Sequence, residues 1–271
     1  MMNQESQDPK KPYPIADMHL HTHYSSDVPL GWASFRDYCQ LGEQYIIHVG
    51  FMDHFEIPEF LCNPKYALFG EHGMMKYLEE FKMAHTEFPN SSLGLEVDYY
   101  PEFESELGEF IDTYRPEFDR FIGSLHVIDG KAITMRKECK QILEKYRFTE
   151  LRAIYFRKLE AAIESDLFDG IAHIDVLYRF MNDLFDLGSL KDHDSEVLRL
   201  GKLCKKRDLT IELNISGFDH SVKRPYPALD IVKTLHKYGA TFFVGSDSHL
   251  PRHFSKRIEM VRKMNQFLTR L

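Results

Sequence analysis

The chain alternates between short apolar runs and longer stretches whose apolar residues recur every three or four positions. Seven runs read as strands: IADMHLH (15–21), IIHVGFMDH (46–54), LGLEVDYY (93–100), RFIGSLHV (120–127), DGIAHIDV (169–176), TIELNIS (210–216) and TFFVGSDSH (241–249). Helical periodicity fills the intervals at 34–45, 71–88, 104–114, 138–166, 194–207 and 227–238, and a last helix is predicted over 253–269. Strand–helix alternation of this kind is the signature of a parallel α/β sheet. Seven units favour a closed barrel, although an open doubly wound sheet also satisfies the pattern. No strand is followed by a Gly-rich dinucleotide or phosphate-binding loop. No repeat or linker divides the chain, so a single domain over 1–271 is expected, with a polar extension at 1–14.

The polar residues interrupting these runs change the picture. Nearly every strand ends in His, Asp, Glu or Asn, and the C-terminal strand ends form the active-site face of parallel α/β folds. Asp17, His19 and His21 alternate along the first strand and are expected to share one face. Glu96 and Asp98 repeat this spacing at the third strand, and Asp247 and His249 at the last. His54 ends the second strand, His126 follows Gly123 and Ser124, and His173 stands two residues before Asp175. One HxH pair is commonly a surface or capping feature. Several polar clusters at buried strand ends are costly unless they are paired or coordinated. Mixed imidazole and carboxylate donors suit zinc, manganese or iron(II) better than calcium or magnesium. The donors outnumber what one ion takes, so two or three ions are expected.

Composition excludes several classes. Charged residues make up 28% and the formal net charge is −8, with no basic cluster beyond the short RKECK at 136–140. A nucleic-acid partner is therefore not expected. Cys39, Cys62, Cys139 and Cys204 lie far apart, which argues against a disulfide framework or a zinc ribbon. No signal peptide or membrane span is evident, and a reducing cytoplasmic location is the expectation. Fourteen histidines is a high count. Eight of them (His23, His48, His72, His85, His193, His220, His236, His253) are read as structural or surface residues.

DMHLHTHYSSD (17–27), GFMDH (50–54), GLEVDY (94–99), GSLH (123–126), AHID (172–175) and GSDSH (245–249) resemble the ordered motifs of the PHP (polymerase and histidinol phosphatase) family. The resemblance runs from about residue 15 to 255. It implies a distorted (β/α)7 barrel with a trinuclear metal site at the C-terminal strand ends. By that resemblance His19 and His21 bind a first metal with Asp247. Glu96 bridges it to a second, which His126 and His173 complete. His54 and His249 bind a third, and Asp27 stands where family members carry either histidine or aspartate. EVDYYPEFE (96–104), SDLFDGIAHIDVLYRF (165–180) and ELNISG (212–217) resemble the monofunctional L-histidinol-phosphate phosphatases of the family.

The resemblance implies hydrolysis of a small phosphomonoester by a metal-bridging hydroxide. Glu96, Asp247 and His249 are then catalytic candidates. Asp17 is expected to orient a ligand histidine from behind, a usual role for a carboxylate there. Three divalent ions against Asp27, Glu96, Asp247 and one hydroxide leave two positive charges, matching a phosphomonoester dianion. Arg224, after the sixth strand, is a candidate phosphate grip. Arg179 and Arg157 are further candidates, although helix-surface pairing explains either. Asp98 or Glu102 could meet the ammonium of histidinol, and both could equally be structural. The competing readings are another PHP phosphoesterase acting on a nucleotide or nucleic acid, and a non-catalytic metal-binding module. Oligomeric state is left open.

Overall fold

The computed structural model describes residues 13–58, 73–184 and 193–271. Cys62, His72 and most of the N-terminal extension lie outside these residues, as does the side chain of His193. Among the described residues, β1 (Ala16–Leu20), β2 (His48–Glu56), β3 (Ser91–Asp98) and β4 (Arg120–Ser124) follow one another in a sheet. A hairpin of β5 (Val127–Ile128) and β6 (Lys131–Ala132) then branches off. β7 (Gly170–Ile171), β8 (Thr210–Asn214) and β9 (Phe242–Gly245) complete the sheet in the order β1-β2-β3-β4-β7-β8-β9. Every neighbouring pair in it is parallel.

The sheet closes on itself through the residues that follow β9. Leu20 bridges Ser248 in parallel, the Asp247 N–H donates to His19 O at 2.9 Å, and the His21 N–H donates to Ser248 O at 3.1 Å. The result is the expected seven-stranded α/β barrel, distorted because the seam is made beyond a strand end.

Strand alternation explains what faces inward. Along β2, Val49, Phe51 and Phe55 join the outer apolar layer, leaving Gly50, Met52, His54 and Glu56 on the inner face. Along β3, Leu93, Leu95 and Val97 face outward, and Gly94, Glu96 and Asp98 inward. Met52, Ile122, Ala172 and Phe243, with Met18 against them, form an apolar floor inside the barrel. The next inward positions toward the strand ends are polar. Helices pack on the outside in two clusters, one against β2 and β3 and the other against β7 and β8. Helix Phe35–Tyr45 shows how local sequence sets a boundary. The Ser34 hydroxyl accepts from the Asp37 N–H at 3.2 Å and the Asp37 carboxylate accepts from the Ser34 N–H at 3.0 Å.

Three local expectations change. The helix expected over 138–166 is two, Arg136–Lys145 and Phe148–Glu164, because Tyr146 is extended (φ −120°, ψ 140°). Glu150 accepts from the Arg147 N–H at 2.9 Å and so restarts the helix there. The fifth strand is two residues long, since the chain turns into a 3-10 segment at Val176–Phe180. β1 carries an irregularity: Asp17 pairs with Val49, but Leu20 pairs with Phe51. That shift breaks strict alternation. His19 and His21 reach the mouth, whereas Asp17 ends on the seam, accepting from the Ser246 N–H at 2.8 Å and the His19 N–H at 3.4 Å.

Cys39, Cys139 and Cys204 are free and buried. No described helix is long and apolar enough to cross a membrane. The interior beside the seam is full: a Cβ on Gly245 would meet Glu212 Oε1 at 2.0 Å and His19 Cβ at 2.6 Å. Gly245→Ala should therefore lower stability by about 1–3 kcal/mol, the usual cost of overpacking a filled interior. Chemical denaturation checks this, and an unchanged midpoint would mean that the interior has slack.

Candidate metal centre

Glu96 stands at the middle of the barrel mouth and is 1% exposed. His54 is its register partner on β2, which brings His54 Nδ1 to 3.0 Å from Glu96 Oε2. His19 Nε2 approaches the same oxygen at 3.2 Å and His21 Nε2 lies 3.7 Å away. The other oxygen, Oε1, faces His173 Nε2 at 2.8 Å and His126 Nε2 at 3.4 Å. Asp247 Oδ1 lies 3.3 Å from His21 Nε2 and 3.5 Å from His249 Nδ1. Asp27 Oδ2 closes the ring at 2.8 Å from His249 Nε2 and 3.8 Å from His54 Nε2. All nine expected ligands thus converge, from elements spread across the chain.

The ring fits metal ions on the chemistry of its donors. The Nε2 atoms of His19 and His21 face each other at 3.0 Å, and those of His126 and His173 at 3.1 Å. The outer nitrogens of three of these rings already have acceptors. His19 Nδ1 meets Glu212 Oε1 at 2.7 Å, and His126 Nδ1 meets Asp98 Oδ1 at 3.3 Å. His21 Nδ1 meets Ser25 Oγ at 2.9 Å, whose own proton goes to Asp53 Oδ1 at 2.8 Å. A proton held on the outer nitrogen leaves the inner Nε2 as a lone pair. Nitrogens at such separations either share a proton or take a metal cation between them. His19–His21–Asp247, His21–His54–His249 and His54–Glu96–His126 are three overlapping groups whose donor atoms lie within 4.8 Å of one another.

The surrounding charges follow from this crowding. Burial opposes the charge of Glu96, yet His126, His19, His54 and His173 hold its carboxyl well below the usual carboxylate range. Burial also opposes a charge on His54, but Glu96, with help from Asp27 and Asp247, pushes the imidazole up to about 10. His21 is held well below its ordinary value by burial and by the neighbouring His249 and His54.

The outlying candidates have different fates. A cavity of about 600 Å³ opens over the ring and is lined also by Glu56, Arg179, His220 and Arg257. Arg179 is at its wall. Arg224 is not, because its guanidinium pairs with the buried Asp175 at 2.8 Å, so it does not present itself to phosphate. Arg157 is exposed on the outside of helix Phe148–Glu164, away from the cavity. Asp98 lines the cavity but is committed to His126, accepting from its N–H at 2.7 Å. Glu102 is exposed on the turn Pro101–Phe103. Asp17 touches no imidazole nitrogen, and Glu212 does for His19 what Asp17 was expected to do. Gly123 makes room for the Phe168 ring, which a Cβ would meet at 2.7 Å.

Sequence reasoning missed Glu212, Asp53, Asn214, Ser216 and Arg257. Asn214 Nδ2 and Ser216 Oγ donate to Asp247 Oδ2 at 3.3 and 3.2 Å. Arg257 Nη1 donates to Ser246 O at 2.7 Å and Asp247 O at 3.1 Å, bracing a residue in the left-handed region (Asp247, φ 54°). The available signal was a charged or amide side chain inside an apolar strand, as in IELN.

The family model of the PHP domain matches residues 17–216. The chain belongs to the PHP domain family. It is similar to a protein named probable histidinol-phosphatase in Deinococcus radiodurans, 25% identical over 247 residues, covering 88% of this chain and 87% of that one. The histidinol-phosphatase of Bacillus subtilis is 24% identical over 226 residues, covering 74% and 80%. The PHP fold is shared with a protein assigned as histidinol phosphatase in Listeria monocytogenes (TM-score 0.77, 21% identity, 89% of this chain and 99% of that one). It is shared too with the histidinol phosphate phosphatase of Lactococcus lactis, solved with zinc, L-histidinol and phosphate (TM-score 0.71, 18% identity, 94% of each). The PHP match ends before Asp247 and Ser248, which close the seam, and before His249.

A ring that keeps a proton on His54 at neutral pH must give it up when a cation takes that nitrogen. Metal uptake by chelator-stripped protein should therefore release at least one proton, and affinity should rise with pH. Calorimetric zinc titrations in buffers of different ionisation enthalpy measure the release. A value of zero would mean that His54 holds no proton for the metal to displace.

Proposed function

We propose that the chain hydrolyses L-histidinol phosphate to L-histidinol and phosphate at two to three divalent ions of zinc, manganese or iron. The nine residues of the ring (His19, His21, Asp27, His54, Glu96, His126, His173, Asp247, His249) would hold them. The observation that carries the reading is Glu96, which offers one oxygen to His19 and His54 and the other to His126 and His173. One carboxylate can thereby serve ions on both sides. The names of the curated relatives, and the ligands of the Lactococcus lactis structure, support the substrate. The cavity volume suits a small molecule.

When bound, the ions would polarise the phosphoryl oxygens and lower the pKa of water toward neutrality. Asp27, Glu96, Asp247 and one hydroxide bring four negative charges, so two divalent ions would leave the mouth neutral and three would leave it two positive, matching a phosphate dianion. Arg179 replaces Arg224 as the guanidinium that would grip the phosphate, since it lines the cavity. At the other wall Glu56 lines the cavity with its Oε2 held by the Tyr100 hydroxyl at 2.8 Å. It takes the place considered for Asp98 as partner of the histidinol ammonium.

Phosphate release from L-histidinol phosphate, nucleoside monophosphates and p-nitrophenyl phosphate tests the reading. The histidinol ester should have the highest kcat/KM, and a nucleotide ahead of it would sink the substrate assignment. Glu96→Ala and Asp247→Ala should each cost several orders of magnitude in kcat with the fold retained by circular dichroism. Glu56→Gln should raise KM for L-histidinol phosphate about tenfold, as loss of one charged hydrogen bond does. KM for p-nitrophenyl phosphate should stay unchanged, and equal effects on both esters would exclude an ammonium contact.

A further inference from the structure

Glu212 is fully buried in the middle of β8, between Ile211 and Leu213. A carboxylate in that position needs partners, and it has two of different kinds. Oε1 accepts from His19 Nδ1 at 2.7 Å, and Oε2 accepts from the His173 N–H at 2.8 Å. The neighbouring strand leaves space for this side chain only because position 245 lacks a Cβ.

The two partners belong to elements that cannot easily place themselves. β1 is irregular just where His19 leaves it. β7 pairs with β8 over Gly170 and Ile171 alone, and its ligand, His173, emerges two residues later. The rings of His19 and His173 stack with centroids 6.2 Å apart, and they address opposite oxygens of Glu96. Glu212 therefore lies behind two ligands that flank the central carboxylate.

We propose that Glu212 is a positioning residue that sets how His19 and His173 present their Nε2 lone pairs to bound metal. With Nδ1–H given to Glu212, His19 offers Nε2 inward in one tautomer and one ring orientation. With its N–H given to the same carboxylate, His173 is held at a fixed height above the short β7. An acceptor-only group satisfies both donors at once, which an amide cannot do. The proposal rests on the metal reading above.

Glu212→Gln preserves shape but turns one acceptor into a donor facing an N–H. Its zinc affinity, measured by competition with a chromophoric chelator, should fall about 10- to 100-fold, the usual effect of losing a support behind a metal ligand. At saturating zinc kcat should largely recover, with KM for the phosphate ester unchanged. Glu212→Asp keeps the charge but is too short to reach both donors, and it should lose affinity as well. Should Glu212→Gln fail to fold, Glu212→Asp decides the matter alone. Zinc affinity equal to wild type, with only the unfolding midpoint of the stripped protein lowered, would make Glu212 a plain strand staple and overturn the proposal. Wild-type protein that binds no zinc, manganese or iron would instead overturn the metal reading itself.

Discussion

A carboxylate out of water among five imidazoles is the constraint around which the rest of this barrel is arranged. Glu96 lies within ion-pair distance of His19, His21, His54, His126 and His173. Desolvating one ionised carboxylate costs several kcal/mol unless cations or hydrogen bonds compensate it. The compensation comes from strands on both sides, so the strands must end at matching heights. The parallel register supplies that: His54 lies opposite Glu96, and Asp98 opposite Ser124. Beneath the polar layer, Met52, Ile122, Ala172 and Phe243 fill the barrel floor.

Much of this arrangement was legible because it is periodic. All seven strands and most helices follow from alternation, and the residues of the ring were visible as polar positions where apolar runs stop. What was not legible depends on pairs distant in the chain. Nothing local in DMHLH marks the irregularity that turns Asp17 onto the seam. Arg224 reads as a free loop arginine until Asp175 is brought beside it. Glu212 was passed over: a charge inside an apolar strand announces a partner without naming it. The break at Tyr146 was hidden because both flanking segments keep helical periodicity.

The arginines near the mouth show why proximity to a site is a poor guide to role. Arg224 is neutralised by a buried carboxylate, and Arg257 is pinned across the carbonyls of Ser246 and Asp247 and the Asp219 carboxylate. Arg179 lines the cavity, as does Arg257. A phosphate grip has to be distinguished from braces of the same residue type, and the difference lies in what each guanidinium already holds.

The seam joins the two ends of the barrel sequence: Asp17 and Ser246 are 229 positions apart, and His19 and Glu212 are 193. A chain leaving the ribosome exposes the first two histidines of the ring long before their partners exist. Contacts of such long range are the last to be made, after the intervening chain has been synthesised and ordered. The ring therefore cannot assemble during early synthesis, when His19 and His21 stand without the carboxylates of Glu96 and Asp247. On the proposed metal reading, a full donor set exists only in the completed barrel, once its last strand has arrived.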